Sequence, residues 1–145
     1  MGLRNDYAAA EKYYKEAIRL DPRLYEAYDN LAVLYLRQKR FEDALQEYRE
    51  ALKIQPEHPQ ANNNAGSLLA RLEKFAEAEP YYMKAIRSKP DFVDAFINLA
   101  NVYVKLNRFS DAQKLLSEAL RLQPGHEAAL EMQGLIHRKQ LKPIK

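Results

Sequence analysis

Apolar residues follow a helical rhythm through almost the whole chain. Between Tyr25 and Gln38 the positions Tyr28, Leu31, Ala32 and Tyr35 stand at i, i+3, i+4 and i+7, one face of a helix. A short polar turn, Lys39-Arg40, follows. A second run from Phe41 then sets Ala44, Tyr48, Ala51 and Leu52 on one face. Pro56 closes it, because proline has no N–H for the helix ladder and restrains the residue before it. The whole pattern recurs. Pro22, Pro56, Pro90 and Pro124 lie 34 residues apart. So do Ala10, Ala44, Ala78 and Ala112; Ala17, Ala51, Ala85 and Ala119; and the aromatics Tyr7, Phe41, Phe75 and Phe109. Four ladders at one period define a repeat.

The period divides residues 1–145 as a single array. Residues 5–24 carry the second helix of a truncated unit, 25–58, 59–92 and 93–126 are complete units, 127–140 repeat a first helix, and 141–145 form a tail. Small residues on the alanine ladders and at Ala32, Gly66, Ala100 and Gly134 let helix axes approach, and large residues opposite fill the gaps. One helix pair cannot bury both of its apolar faces, so the units must stack. No alternating strand pattern is present, and the expected class is all-α.

The spacing Tyr28-x2-Leu31-Ala32-x2-Tyr35 … Ala44-x3-Tyr48-x2-Ala51 … Pro56 resembles the tetratricopeptide repeat (TPR) signature. The next unit matches through Gly66, Leu69, Ala78, Tyr82, Ala85 and Pro90. The one after matches through Phe96, Leu99, Ala100, Tyr103, Ala112, Ala119 and Pro124. Asn62 and Leu116 depart from it, Asn62 standing where the family pattern has a large aromatic or apolar residue and Leu116 where it has the later aromatic. Pro80 interrupts a second helix and removes a bond to the carbonyl of Ala76, so a small local bend is expected there. The resemblance implies a right-handed α-solenoid of helix-turn-helix repeats whose first helices line a concave surface.

On that surface Asn30, Asn64 and Asn98 form a ladder, with Gln60, Asn63, Ser67 and Asn101 beside it. Packed helices lie about 8–10 Å apart and an extended peptide advances about 3.3 Å per residue, so one asparagine per unit meets a threaded backbone about every third residue. An asparagine amide also has the donor and acceptor to bond a neighbouring repeat instead. The ladder is similar to that of the O-linked N-acetylglucosamine transferase TPR array, where equivalent asparagines hold extended peptides. Arg37, Arg71, Lys105 and Lys139 form a basic row at the first-helix C-termini. Two roles fit: complementing the helix macrodipole, or recruiting acidic residues of a ligand. Glu26, Asp29, Asp94 and Glu131 sit toward the other side.

Other chemistry is scarce. Lys and Arg total 23 against 20 Asp and Glu, a net charge of +3 with the signs interspersed, which describes a solvated surface rather than a nucleic-acid footprint. Seven of the ten tyrosines occupy repeat packing positions, leaving few to stack on bases. The absence of cysteine excludes disulfides and thiolate metal sites. His58, His126 and His137 are scattered, and no Ser-His-Asp set, glycine-rich phosphate loop or facing carboxylate pair occurs, so neither catalysis nor a cofactor is expected. No apolar run reaches membrane-spanning length and the first residues lack a signal-peptide core; a cytoplasmic location is expected. A clamp for chaperone C-terminal carboxylates, as the resemblance defines it, maps onto Asp29, Val33, Asn64, Asp94 and Asn98; only Asn64 fits, and both aspartates have the wrong sign.

The resulting expectation is a non-catalytic protein–protein interaction scaffold. Its groove, carrying Asn30, Asn63, Asn64, Ser67, Asn98, Asn101, Arg37, Arg71 and Lys105, would bind an extended or helical segment of a partner protein. Two other roles fit the same residues: a substrate-recruiting segment of a larger enzyme such as a glycosyltransferase, and a scaffold that self-assembles end to end.

Overall fold

The computed structural model describes residues 3–141. Among them are eight helices and no strand: α1 (Leu3–Leu20), α2 (Tyr25–Arg37), α3 (Phe41–Ile54), α4 (Pro59–Arg71), α5 (Phe75–Ser88), α6 (Val93–Lys105), α7 (Phe109–Leu122) and α8 (Glu127–Leu141). The closest helix pairs are the three hairpins α2–α3, α4–α5 and α6–α7, and each hairpin stacks on the next. The fold is an all-α solenoid.

The alanine ladders explain the closeness. Ala44, Ala78 and Ala112, and likewise Ala51, Ala85 and Ala119, are fully buried. With nothing beyond Cβ they let the second helix lie tight against its neighbours. Tyr48, Tyr82 and Leu116 share one register and are all buried, so Leu116 meets the demand for apolar volume without a ring. At Gly66 even a Cβ would stand 2.9 Å from Cε1 of Tyr82. Helix α5 runs unbroken through the exposed Pro80.

Each hairpin turns through a left-handed residue that is not glycine: Lys39, Glu73 and Asn107 all have φ of 60°. The N–H of the residue after each reaches back to the first-helix carbonyl of Tyr35, Leu69 or Tyr103, at 2.9, 2.8 and 2.7 Å. This double-bonded ending caps carbonyls that the helix leaves open.

First helices also touch across units, α4 with α6 and α6 with α8, whereas among the described residues no two second helices make a comparable contact. The array therefore curves with α2, α4, α6 and α8 on its inner side.

The first three joints between units alternate in character, and the fourth, between α7 and α8, carries Gln113, which donates to Gln140 at 3.3 Å. Arg40 lies 4.3 Å over the Tyr35 ring, donates to Glu11 on α1 at 3.0 Å and to Asp43 at 2.9 Å. Two units later Arg108 lies 4.2 Å over Tyr103 and donates to Glu79 on α5 at 3.3 Å and to Asp111 at 3.0 Å, while the Tyr103 hydroxyl donates to Glu79 at 2.8 Å. Between these two, the same positions hold Leu45 and Leu69, both buried, beside Lys74. Polar, apolar and polar joints follow in turn.

Candidate functional site

Four hollows follow one another along the inner side. The first is lined by Ala10, Tyr14, Asn30, Val33, Leu34 and Arg37, and the second by Leu36, Tyr48, Asn64, Ser67, Leu68 and Arg71. The third, about 340 Å³, gathers Ser67, Arg71, Glu73, Phe75, Tyr82, Asn98, Asn101 and Lys105 among its walls. The fourth is bounded by Asn101, Ala128, Glu131, Met132, Leu135 and Arg138. In the first three steps the 34-residue period places an asparagine, the residue three later and a base seven later in the wall, whereas the base of the fourth is Arg138, six after Met132. In the last step Met132 stands where the asparagine would be.

The asparagines do not act alike. Asn98 donates from Nδ2 to Oδ1 of Asn63 at 3.1 Å and to Oγ of Ser67 at 3.4 Å, bridging two units. Asn64 instead accepts at Oδ1 from Nε2 of Gln60, at 2.8 Å. Asn30 and Asn101 are exposed. Asn63 is 6 % exposed and supports Asn98 from beneath rather than facing the groove. Ser67 also receives the Tyr82 hydroxyl at 3.2 Å, so one serine ties α4, α5 and α6 together. Burial pushes the pKa of that tyrosine up, against the opposing effect of the serine hydrogen bond.

The basic row has geometry that the macrodipole alone does not specify. Arg71 lies 4.9 Å over the Phe41 ring and Lys139 lies 6.0 Å over Phe109, each resting on the aromatic that opens the preceding second helix. Such a ring attracts a cation without neutralising it. The thirty-residue interval between aromatic and base was present in the sequence, and only the stacking of units gives it meaning.

Two neighbouring features had no sequence forecast. His58 caps α4, its Nδ1 accepting from the N–H of Ala61 at 3.1 Å, and its ring stacks on Tyr25 with centroids 4.7 Å apart. Asp29, beside them, is held above the usual carboxylate range by burial, with His58 pulling it back and Glu26 adding to it. Among the described residues no cluster of three His, Cys, Asp or Glu side chains could hold a metal ion, and no helix is long and apolar enough to cross a membrane.

Comparison with known proteins agrees with this architecture. One tetratricopeptide repeat model matches residues 69–136, and another matches 4–59 and 40–92. No curated protein matches in sequence. Among solved structures, MamA superposes with a TM-score of 0.88 at 20 % identity, over 97 % of this chain and 85 % of that one. A tetratricopeptide repeat protein from Parabacteroides merdae gives 0.88 at 21 % identity, over 94 % of this chain and 55 % of that one. The first TPR of Spaghetti (RPAP3), bound to an HSP90 peptide, gives 0.78 at 21 % identity, over 81 % of this chain and 94 % of that one.

Proposed function

Because the chain belongs to the tetratricopeptide repeat family, we propose that it is a non-catalytic scaffold whose inner groove holds an extended segment of a partner protein. The observation that carries this reading is the opposite polarisation of two successive asparagines. Gln60 occupies Oδ1 of Asn64, leaving its Nδ2 as a donor; Asn63 and Ser67 occupy Nδ2 of Asn98, leaving its Oδ1 as an acceptor. A donor and an acceptor set one unit apart match the C=O and N–H groups of an extended backbone. The amides are held before any ligand arrives, which lowers the ordering cost of binding. The RPAP3 repeat, similar in fold, is bound to a peptide. Asp29 and Asp94 argue against a free C-terminal carboxylate as the occupant, since both would repel it.

The test is selection of peptides from a random displayed library, followed by titration against Asn64→Ala and Asn98→Ala. Each variant should weaken binding several-fold, about 0.5–1.5 kcal/mol per lost contact, measured at a temperature where both variants remain fully folded, since Asn98→Ala also removes the bonds to Asn63 and Ser67. Peptides that bind both variants fully, yet are lost with Met83→Ala or Lys114→Ala on the second helices, would refute the groove.

End-to-end association of copies is a second reading, favoured by Tyr13 and Leu20 on α1, each 71 % exposed. Gly134 lies two units after Gly66, and Tyr14 lies two units before Tyr82. Setting α8 of one copy against α1 of another therefore reproduces the Gly66–Tyr82 fit. Sedimentation velocity over a wide concentration range should show growth that Tyr13→Glu abolishes; a constant monomer mass would rule it out.

A further inference from the structure

We infer that the groove selects segments bearing acidic residues, and that the hollow between α4 and α6 anchors one of their carboxylates. This deepens the groove reading above and rests on it.

Each of the four hollows contains a cation: Arg37, Arg71, Lys105 or Arg138. None of these four makes an ion pair with a described residue, whereas Arg40 and Arg108 at the turns each lie between two carboxylates. The turn arginines are satisfied within the fold; the groove cations keep their charge for something else. Only Glu73 and Glu131 bring opposite charge into the hollows, and neither pairs with a groove cation. The macrodipole explains the sign of the row but not its lack of partners.

The α4–α6 hollow is the best furnished. Two of the cations, Arg71 and Lys105, converge on it, and Ser67, Asn98 and Asn101 supply hydroxyl and amide groups. Arg71 is steadied by the face of Phe41, its Cζ lying 4.9 Å from the ring centroid, and the ring takes up none of its N–H donors as an acceptor would. A planar guanidinium offers a carboxylate two parallel donors, a geometry that an ammonium lacks. Glu73 at the rim disfavours a second acidic group beside the first. The occupant this chemistry fits carries carboxylates one unit apart, which is about every third residue of an extended chain.

The experiment uses three labelled peptides of one uncharged extended sequence, acetylated and amidated, with Glu, Gln or Lys at every third position. Anisotropy titration at about 50 mM salt should give the Glu peptide an advantage of about tenfold or more over the Gln peptide, shrinking at about 500 mM as screening tightens. Arg71→Gln and Lys105→Gln should bring the affinity for the Glu peptide down toward that for the Gln peptide. Arg71→Lys should restore only part of the advantage. Asn98→Ala should weaken both peptides alike. If Glu and Gln peptides bind equally and both depend on Asn98, the acidic preference is overturned and the groove reading stands. Failure of all three peptides to bind overturns both.

Discussion

Asn62 performs for its unit the task that Tyr28 performs one unit earlier. The Tyr28 hydroxyl donates to the carbonyl of Pro22 at 2.9 Å, and Nδ2 of Asn62 donates to the carbonyls of Pro56 at 3.0 Å and His58 at 2.9 Å. Both close the inter-unit loop onto the helix that follows it. The ring reaches from the surface, whereas the amide is 1 % exposed and acts from inside.

Asn62→Leu keeps the shape of that side chain and deletes its donor. The Pro56 carbonyl then loses its partner, while that of His58 keeps the main-chain N–H of residue 62, and the unit should be destabilised by about 1–2 kcal/mol. Chemical denaturation measures this directly. A loss below about 0.5 kcal/mol would mean that water replaces the amide at no cost.

The polar joint predicts coupling where the apolar joint predicts none. A double-mutant cycle on Glu11 and Arg40 should return about 0.5–1 kcal/mol, the upper part of the range for partly exposed pairs. Hydrogen bonding supports the figure: although burial alone would raise the Glu11 pKa, Tyr35 and Arg40 hold it below the usual value. The equivalent cycle on Glu42 and Lys74, 4.0 Å apart and largely exposed, should return nothing measurable.

Glycine belongs at the left-handed turn positions and is absent from them. Glu73→Gly removes the Cβ that φ of 60° penalises, and the gain outweighs the added freedom of the unfolded chain. A net stabilisation of about 0.5–1 kcal/mol is expected. Asn107→Gly should gain less, because asparagine tolerates this conformation. Equal gains at both positions would contradict the strain argument.

Glu47 makes stability fall as pH rises. Burial raises its pKa above the ordinary 4.5, and the neighbouring carboxylates of Glu50 and Asp43 add to this, partly offset by Lys15. Below 4.5 the group is protonated in folded and unfolded chains alike and costs nothing. As pH climbs past the folded value the charge must be carried half-buried, and the penalty is complete at neutrality. Glu47→Gln should therefore stabilise the protein at pH 7 and have no effect near pH 3.5. Melting curves at the two pH values test the sign.

Most of the architecture was legible because one spacing recurs in several independent residue classes. The alanines, prolines and aromatics each announced the hairpins, and Ala44, Ala78 and Ala112 are buried in consequence. The groove was legible only as a set of positions. Asn30, Asn64 and Asn98 are equivalent in spacing, yet their bonding differs because Gln60, Asn63 and Ser67 occur in one unit alone. Asn62 looked like a lapse from the family pattern, since its partners are main-chain carbonyls and carbonyls leave no trace in residue identity. The resting of Arg71 on Phe41 joins residues from different hairpins, and only the stacking of units decides which hairpins meet.

The alternating joints dictate how this chain can be shortened. Excising residues 25–58 would remove one whole unit and bring Glu11 against Leu69, a carboxylate pressed on a side chain that accepts no hydrogen bond. Excising 59–92 would set Leu45 under Arg108 and strip that arginine of Glu79. Excising 25–92 returns Glu11 to a tyrosine and an arginine, now Tyr103 and Arg108, and every surface meets a mate of its own kind. Across the first three joints, loss of two hairpins, 68 residues, thus keeps the match that loss of one, 34 residues, breaks.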